Sequence, residues 1–165
     1  VFSLKFLRGM SAVFFDALRE GDVAVVIKEL QKDVTLANTP NESGYPPMVL
    51  ATYCNQAEVA GVLFANKADI EQRDGAGNTA LLGVCFKGYT ALAIWLIEQG
   101  ANVNAVNSMG ATALIYAATF NRVDIVSLLL KHGADATVKD ARGNTALDHA
   151  EMQEFNEIVE KLKTT

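Results

Sequence analysis

Histidine and cysteine are scarce, with two of each in 165 residues. Four such side chains at unrelated spacings make no zinc pattern, so no metal site is expected. Positive charge is in deficit, 14 Lys and Arg against 19 Asp and Glu for a net charge of −5, and the basic residues are scattered among acidic ones. A nucleic-acid binder concentrates positive charge on one face, so that class of partner is excluded. No apolar run approaches the roughly 18 residues that cross a bilayer, and no membrane span is expected. A Gly-rich phosphate loop followed by Lys-Ser/Thr is also missing, which leaves nucleotide binding without support. No cofactor is expected.

What is present is length enough for one compact domain, and half of the residues are hydrophobic. The segment Val1–Gly9 is apolar but interrupted by Lys5 and Arg8. That interruption argues against an export signal, which needs an unbroken apolar stretch and a small-residue cleavage site. It reads as an N-terminal cap over residues 1–9, with a trimmed export signal or an expression remnant as alternatives. Cys54 and Cys85 read as buried free thiols, which favours a reducing compartment and a cytoplasmic location. Periplasmic or secreted placement is the alternative if Val1–Gly9 is a trimmed signal.

One period runs through the whole chain. Gly44, Gly77, Gly110 and Gly143 are each 33 residues apart. The same step links Phe15, Met48, Leu81, Leu114 and Leu147, then Val26, Val59, Leu92, Ile125 and Ile158, and then Leu30, Leu63, Leu96, Leu129 and Leu162. Small residues keep phase too, with Ala51, Val84, Ala117 and Ala150 in one register and Ala68, Ala101 and Ala134 in another. Five copies result, at about 10–40, 41–73, 74–106, 107–139 and 140–165, within a single domain spanning 1–165.

Each copy spells a helical hairpin. In the fourth, Gly110 sits in a turn where a missing Cβ permits positive φ, and Thr112 is placed to cap the helix that follows. Leu114, Ala117 and Ala118 give that helix a narrow small-residue face. Asn121 ends it, and Val123 to His132 carries Ile125, Val126, Leu128 and Leu129 at helical spacing before Gly133 stops the second helix. Asp135 and Asn107 bracket the connector, where short polar side chains bond nearby amides. One hairpin cannot bury its own apolar face, so the copies must stack. The last copy carries Glu157, Glu160, Lys161 and Lys163 on its second helix, the polar outer face of a terminal cap.

The segments Gly77-Asn-Thr-Ala-Leu81, Gly110-Ala-Thr-Ala-Leu114 and Gly143-Asn-Thr-Ala-Leu147 resemble the Gly-x-Thr-Pro-Leu helix start of ankyrin repeats. Gln99-Gly-Ala-Asn-Val-Asn104 and His132-Gly-Ala-Asp-Ala-Thr137 look like that family's connector. The resemblance covers nearly all of the chain, more weakly in the first copy, and the Thr-Ala-Leu variant resembles stand-alone bacterial members. It implies an all-α solenoid of helix-turn-helix units with β-hairpin-like connectors. Departures are the Ala80, Ala113 and Ala146 that replace proline, and Val49, Leu82, Ile115 and Asp148 in place of the family's histidine. Lys67 stands where Gly100 and Gly133 do, so the second copy ends its helix less comfortably.

The resemblance further implies a partner protein docked on the concave side, on connector tips and first helices. Carried over position by position, the partner-binding candidates are Tyr45, Tyr53, Arg73, Asn78, Phe86 and Lys87 in the first half. Met109, Thr119, Phe120, Arg142, Asn144 and Met152 follow in the second. Aromatics and Met edged by Arg and Lys match the make-up of protein-binding hot spots. The alternative for the aromatics is packing against neighbouring helices or under the connectors, and Trp95 reads as inter-repeat packing. His132, near a helix C-terminus, reads as a solvated electrostatic group. His149 beside Asp148 and Glu151 lacks a nucleophile and makes no catalytic constellation. The expectation is a monomeric, non-catalytic interaction module, an adaptor or inhibitor for an unidentified protein. A self-assembling structural protein is the second reading.

Overall fold

In the computed structural model, the backbone is described for residues 2–165 and side chains from Ser11 onward. The reading of residues 1–9 as a cap rests on side chains outside that range. Among the described residues there are ten α-helices, one short 3-10 helix and no β-strand. The chain divides into two compact units, residues 1–75 and 76–165.

Residues 1–75 hold α1 (Phe2–Glu20), α2 (Val23–Lys32), the 3-10 turn Val34–Asn38, α3 (Pro47–Tyr53) and α4 (Ala57–Ala65). Helix α1 packs on α2 and α3, while α4 packs on α2 and α3. Phe14, Leu18, Val26, Met48, Val59 and Leu63 are removed from solvent where these helices meet. Pro46 and Pro47 open α3 with no side-chain cap, a position where proline's fixed φ costs nothing. Asn38 ties the unit's connector together: its amide donates to the Lys67 carbonyl at 2.9 Å and its oxygen accepts the Asp69 amide at 2.7 Å.

Residues 76–165 hold α5 (Ala80–Lys87), α6 (Thr90–Glu98), α7 (Ala113–Thr119), α8 (Val123–Lys131), α9 (Ala146–Met152) and α10 (Asn156–Lys163). Helix α7 lies between α5 and α9, and α8 between α6 and α10, so first helices form one layer and second helices another. Thr79, Thr112 and Thr145 cap the first helices, their hydroxyls accepting the amides of Leu82, Ile115 and Asp148. The Thr145 cap is reciprocal, since the Asp148 carboxylate accepts the Thr145 amide at 2.8 Å.

The apolar registers occupy the positions their spacing predicts. Leu81, Leu114, Leu92, Ile125, Ile158, Leu96 and Leu129 are buried, and so are Val84, Ala117 and Ala150, which let the first helices approach. Leu147, in the last repeat, is half-buried. Burying each leucine or isoleucine side chain contributes about 1.5–3 kcal/mol before the entropy of ordering it. Cys85 is buried at the repeat position where other copies carry the buried Thr52 and Ala118, and burial pushes its thiol pKa far up. Cys54 departs from expectation: it caps the end of α3 and is half-buried, because a helix terminus is open on one side.

The connectors are tight turns, each closed by two backbone bonds. The amides of Asn41, Asn107 and Asp140 donate to the carbonyls of Tyr45, Ala111 and Asn144, and the carbonyls of the same three residues accept the amides of Gly44, Gly110 and Gly143. Within residues 76–165, one further bond links each turn to the next, the Ser108 amide to the Ala76 carbonyl and the Ala141 amide to the Met109 carbonyl. These bonds join neighbouring repeats where the family's histidine is absent, and Leu82 and Ile115 at that position are simply buried. The resemblance to β-hairpins therefore stops at the turn.

Candidate functional site

Three aromatic rings meet on the first-helix layer of residues 76–165. Phe86, near the end of α5, stands edge-on to Phe120 with ring centroids 4.7 Å apart, and to Tyr116 at 6.0 Å. Tyr116 and Phe120 lie on consecutive turns at 6.4 Å. Such edge-to-face pairs add about 0.5–1.5 kcal/mol to the burial of the rings. Phe86 and Tyr116 are half-buried in this cluster, whereas Phe120 keeps 41% of its surface exposed.

Beneath Phe120 runs a groove of about 340 Å³. Tyr116, Thr119 and Phe120 form one wall, Met109 hangs over it from the connector tip, and Asp140, Arg142 and His149 form the far side. Met109 is 57% exposed, an unusual placement for a large apolar side chain. Thr119 turns its hydroxyl back to the Ile115 carbonyl at 2.7 Å, which commits that donor within the helix.

In two of the connectors a polar pair anchors the turn to the first helix behind it. Asn107 accepts the amides of Met109 and Ala111 on its side-chain oxygen and donates from its nitrogen to the Tyr116 hydroxyl at 2.8 Å and to Asn78 at 2.9 Å. One repeat later Asp140 accepts the amides of Arg142 and Asn144, and its other oxygen meets His149 Nε2 at 2.7 Å. The two pairs occupy the same register, 33 residues apart. Burial opposes ionisation of Asp140, but the bonds from His149, Asn144 and Arg142 outweigh it, and its pKa lies below the ordinary value.

The sequence candidates fall into two groups. Met109, Thr119, Phe120 and Arg142 line the one groove, Phe86 supports it, and Asn78 reaches it through Asn107 and Tyr116. Asn144 is half-buried with its amide committed to Asp140. Lys87 follows Phe86 and places its ammonium 5.9 Å from the Tyr89 ring centroid. Met152, at the end of α9, is 59% exposed. Tyr45, Tyr53 and Arg73 belong to residues 1–75, where all three are exposed, Tyr45 at a connector and Tyr53 at the end of α3. Tyr116, Asp140 and His149 were not singled out as site residues. A signal existed for Tyr116 and His149, since their register also holds Leu50 and Gly83, a spread of sizes that no stacking position tolerates.

Helical hairpins of one length, threonine caps at one spacing and turns bonded to the next turn define a repeat type. The family profile described as Ankyrin repeats (3 copies) matches residues 63–140 and 81–164. The chain belongs to the ankyrin-repeat family. Among similar proteins, human Protein phosphatase 1 regulatory subunit 27 is 36% identical over 99 residues, 59% of this chain and 64% of the relative. Rat Ankyrin repeat and SAM domain-containing protein 6 is 36% identical over 111 residues, 67% of this chain and 12% of the relative. Monkeypox virus Ankyrin repeat domain-containing protein OPG015 is 52% identical over 46 residues, 28% of this chain and 10% of the relative. The chain thus spans less than two thirds of these relatives' lengths. As an ankyrin-repeat protein it is a protein–protein interaction module. Among the described residues no helix is long and apolar enough to cross a membrane, and no three His, Cys, Asp or Glu side chains group as metal ligands.

Proposed function

We propose that this ankyrin-repeat chain is a non-catalytic docking module, an adaptor or inhibitor that holds a partner protein on the connector tips and first helices of residues 76–165. The observation that carries the reading is the ledge of Phe86, Tyr116 and Phe120 beside an open groove, with Met109 and Phe120 exposed at its lip. Large apolar side chains held rigidly at a surface, with Arg142 at the edge, are what protein hot spots are made of. The likeness to a phosphatase regulatory subunit supports a role exercised by attachment to another protein.

The test pairs Met109→Ala with Phe120→Ala. The double variant keeps its helical circular dichroism and melts only modestly below the parent, because Met109 is mostly exposed and Phe120 gives up little beyond its edge-on contact with Phe86, yet loses quantitative pull-down of the partner protein captured by the parent. Unchanged capture would sink the reading. A parent that captures nothing and instead forms oligomers in light scattering, with the double variant monomeric, would replace it with self-assembly.

A further inference from the structure

Resting on that docking reading, we infer that the groove takes an acidic segment of the partner, one large apolar side chain seated between Met109 and Phe120 with a neighbouring carboxylate on Arg142. The volume, about 340 Å³, equals roughly ten waters at ~30 Å³ each, room for one or two large side chains. Its walls at Met109, Ile115 and Phe120 are apolar and favour such an occupant.

Charge selects what lies next to that anchor. The groove has one carboxylate, Asp140, and its oxygens are engaged by two backbone amides and His149. Other nearby carboxylates are similarly occupied, Asp148 by Thr145 and Glu151 by Lys163. The Arg142 side chain stands exposed on the far side. The chain's net charge of −5 would attract basic partners from afar, but screening over about 8 Å at physiological salt leaves the local charge in control once surfaces touch. A basic segment would there meet Arg142. An acidic one gains a guanidinium–carboxylate pair of the bidentate kind.

The test is selection of a phage-displayed random dodecapeptide library on the full chain, followed by fluorescence anisotropy with the leading peptide synthesised and labelled. Enriched peptides should carry Phe, Leu, Met or Trp within two residues of Asp or Glu. Arg142→Glu should weaken the leading peptide at least tenfold, and a peptide with Lys in place of its acids should regain binding to that variant. Peptides that depend on Phe120 but are neutral or basic, or are indifferent to Arg142→Glu, overturn the acidic partner and leave the docking reading standing. Absence of enrichment, or enriched peptides indifferent to both Phe120→Ala and Arg142→Glu, overturns both.

Discussion

Single residues in this chain carry measurable strain where the repeat pattern asks for glycine and finds something else. Gly100 and Gly133 end their second helices with φ of +94° and +84°, and Lys67 does the same work at +66° with a Cβ in place. A left-handed conformation costs a side-chain-bearing residue roughly 1–2 kcal/mol, of which glycine's greater unfolded freedom takes back roughly half. Lys67→Gly should therefore stabilise the chain by about 0.5–1 kcal/mol, raising Tm by about 1–3 °C in a thermal melt. Gly133→Ala is the converse measurement. No neighbouring side chain or distant backbone lies within 4 Å of where its Cβ would sit, so any loss of stability reports backbone strain, less the part that glycine's unfolded freedom takes back, and no steric clash. A fall in Tm for Lys67→Gly would show that the Lys67 side chain stabilises the turn more than its backbone strains it.

Helices and connectors are the scale at which the polar groups act. Asn107 is buried and its amide side chain satisfies two backbone amides of the connector while holding Tyr116 on α7. Removing it leaves those amides without their acceptor, and each buried group so orphaned costs about 1–3 kcal/mol. Asn107→Ala should then lower the urea unfolding free energy by about 2–4 kcal/mol. Asn107→Asp should cost less, since Asp140 holds the next connector's amides with a carboxylate in that same register. Equal losses in the two variants would mean that the turn amides contribute little and the bonds to Tyr116 and Asn78 account for the effect.

For the molecule as a whole, acid is the informative perturbant. Asp135, Asp140 and Asp148 all titrate below the ordinary carboxylate value: Thr137 bonds Asp135, Thr145 bonds Asp148, and His149 with two amides outweighs burial at Asp140. A carboxyl whose folded pKa is depressed stabilises the fold fully above its unfolded pKa, near 3.9, and loses that contribution as pH falls through the folded value. Stability should hold from neutrality to about pH 5 and then decline steeply below about pH 4. Asp140→Asn should make that decline shallower in pH-jump circular dichroism, and an unchanged slope would remove Asp140 from the account. The apolar framework was legible in the sequence because burial repeats at every thirty-third position, from Leu30 to Leu162. Met109, Phe120 and Arg142 were legible as a surface because stacking does not require those types there. The pairing of Asp140 with His149 was hidden, because its nine-residue spacing spans a turn and follows no helical or strand period. Phe86 is a partner-binding candidate in the sequence, with packing as its alternative, and its edge-on stacking makes it half support for Phe120.

The tethers from Asp140 to His149 and from Asn107 to Tyr116 each fasten one protruding loop to the helix behind it. Loops so fastened have surrendered their freedom during folding and have little left to lose on contact. Encounters with such a surface would follow simple one-step kinetics, the shape being present before the visitor arrives.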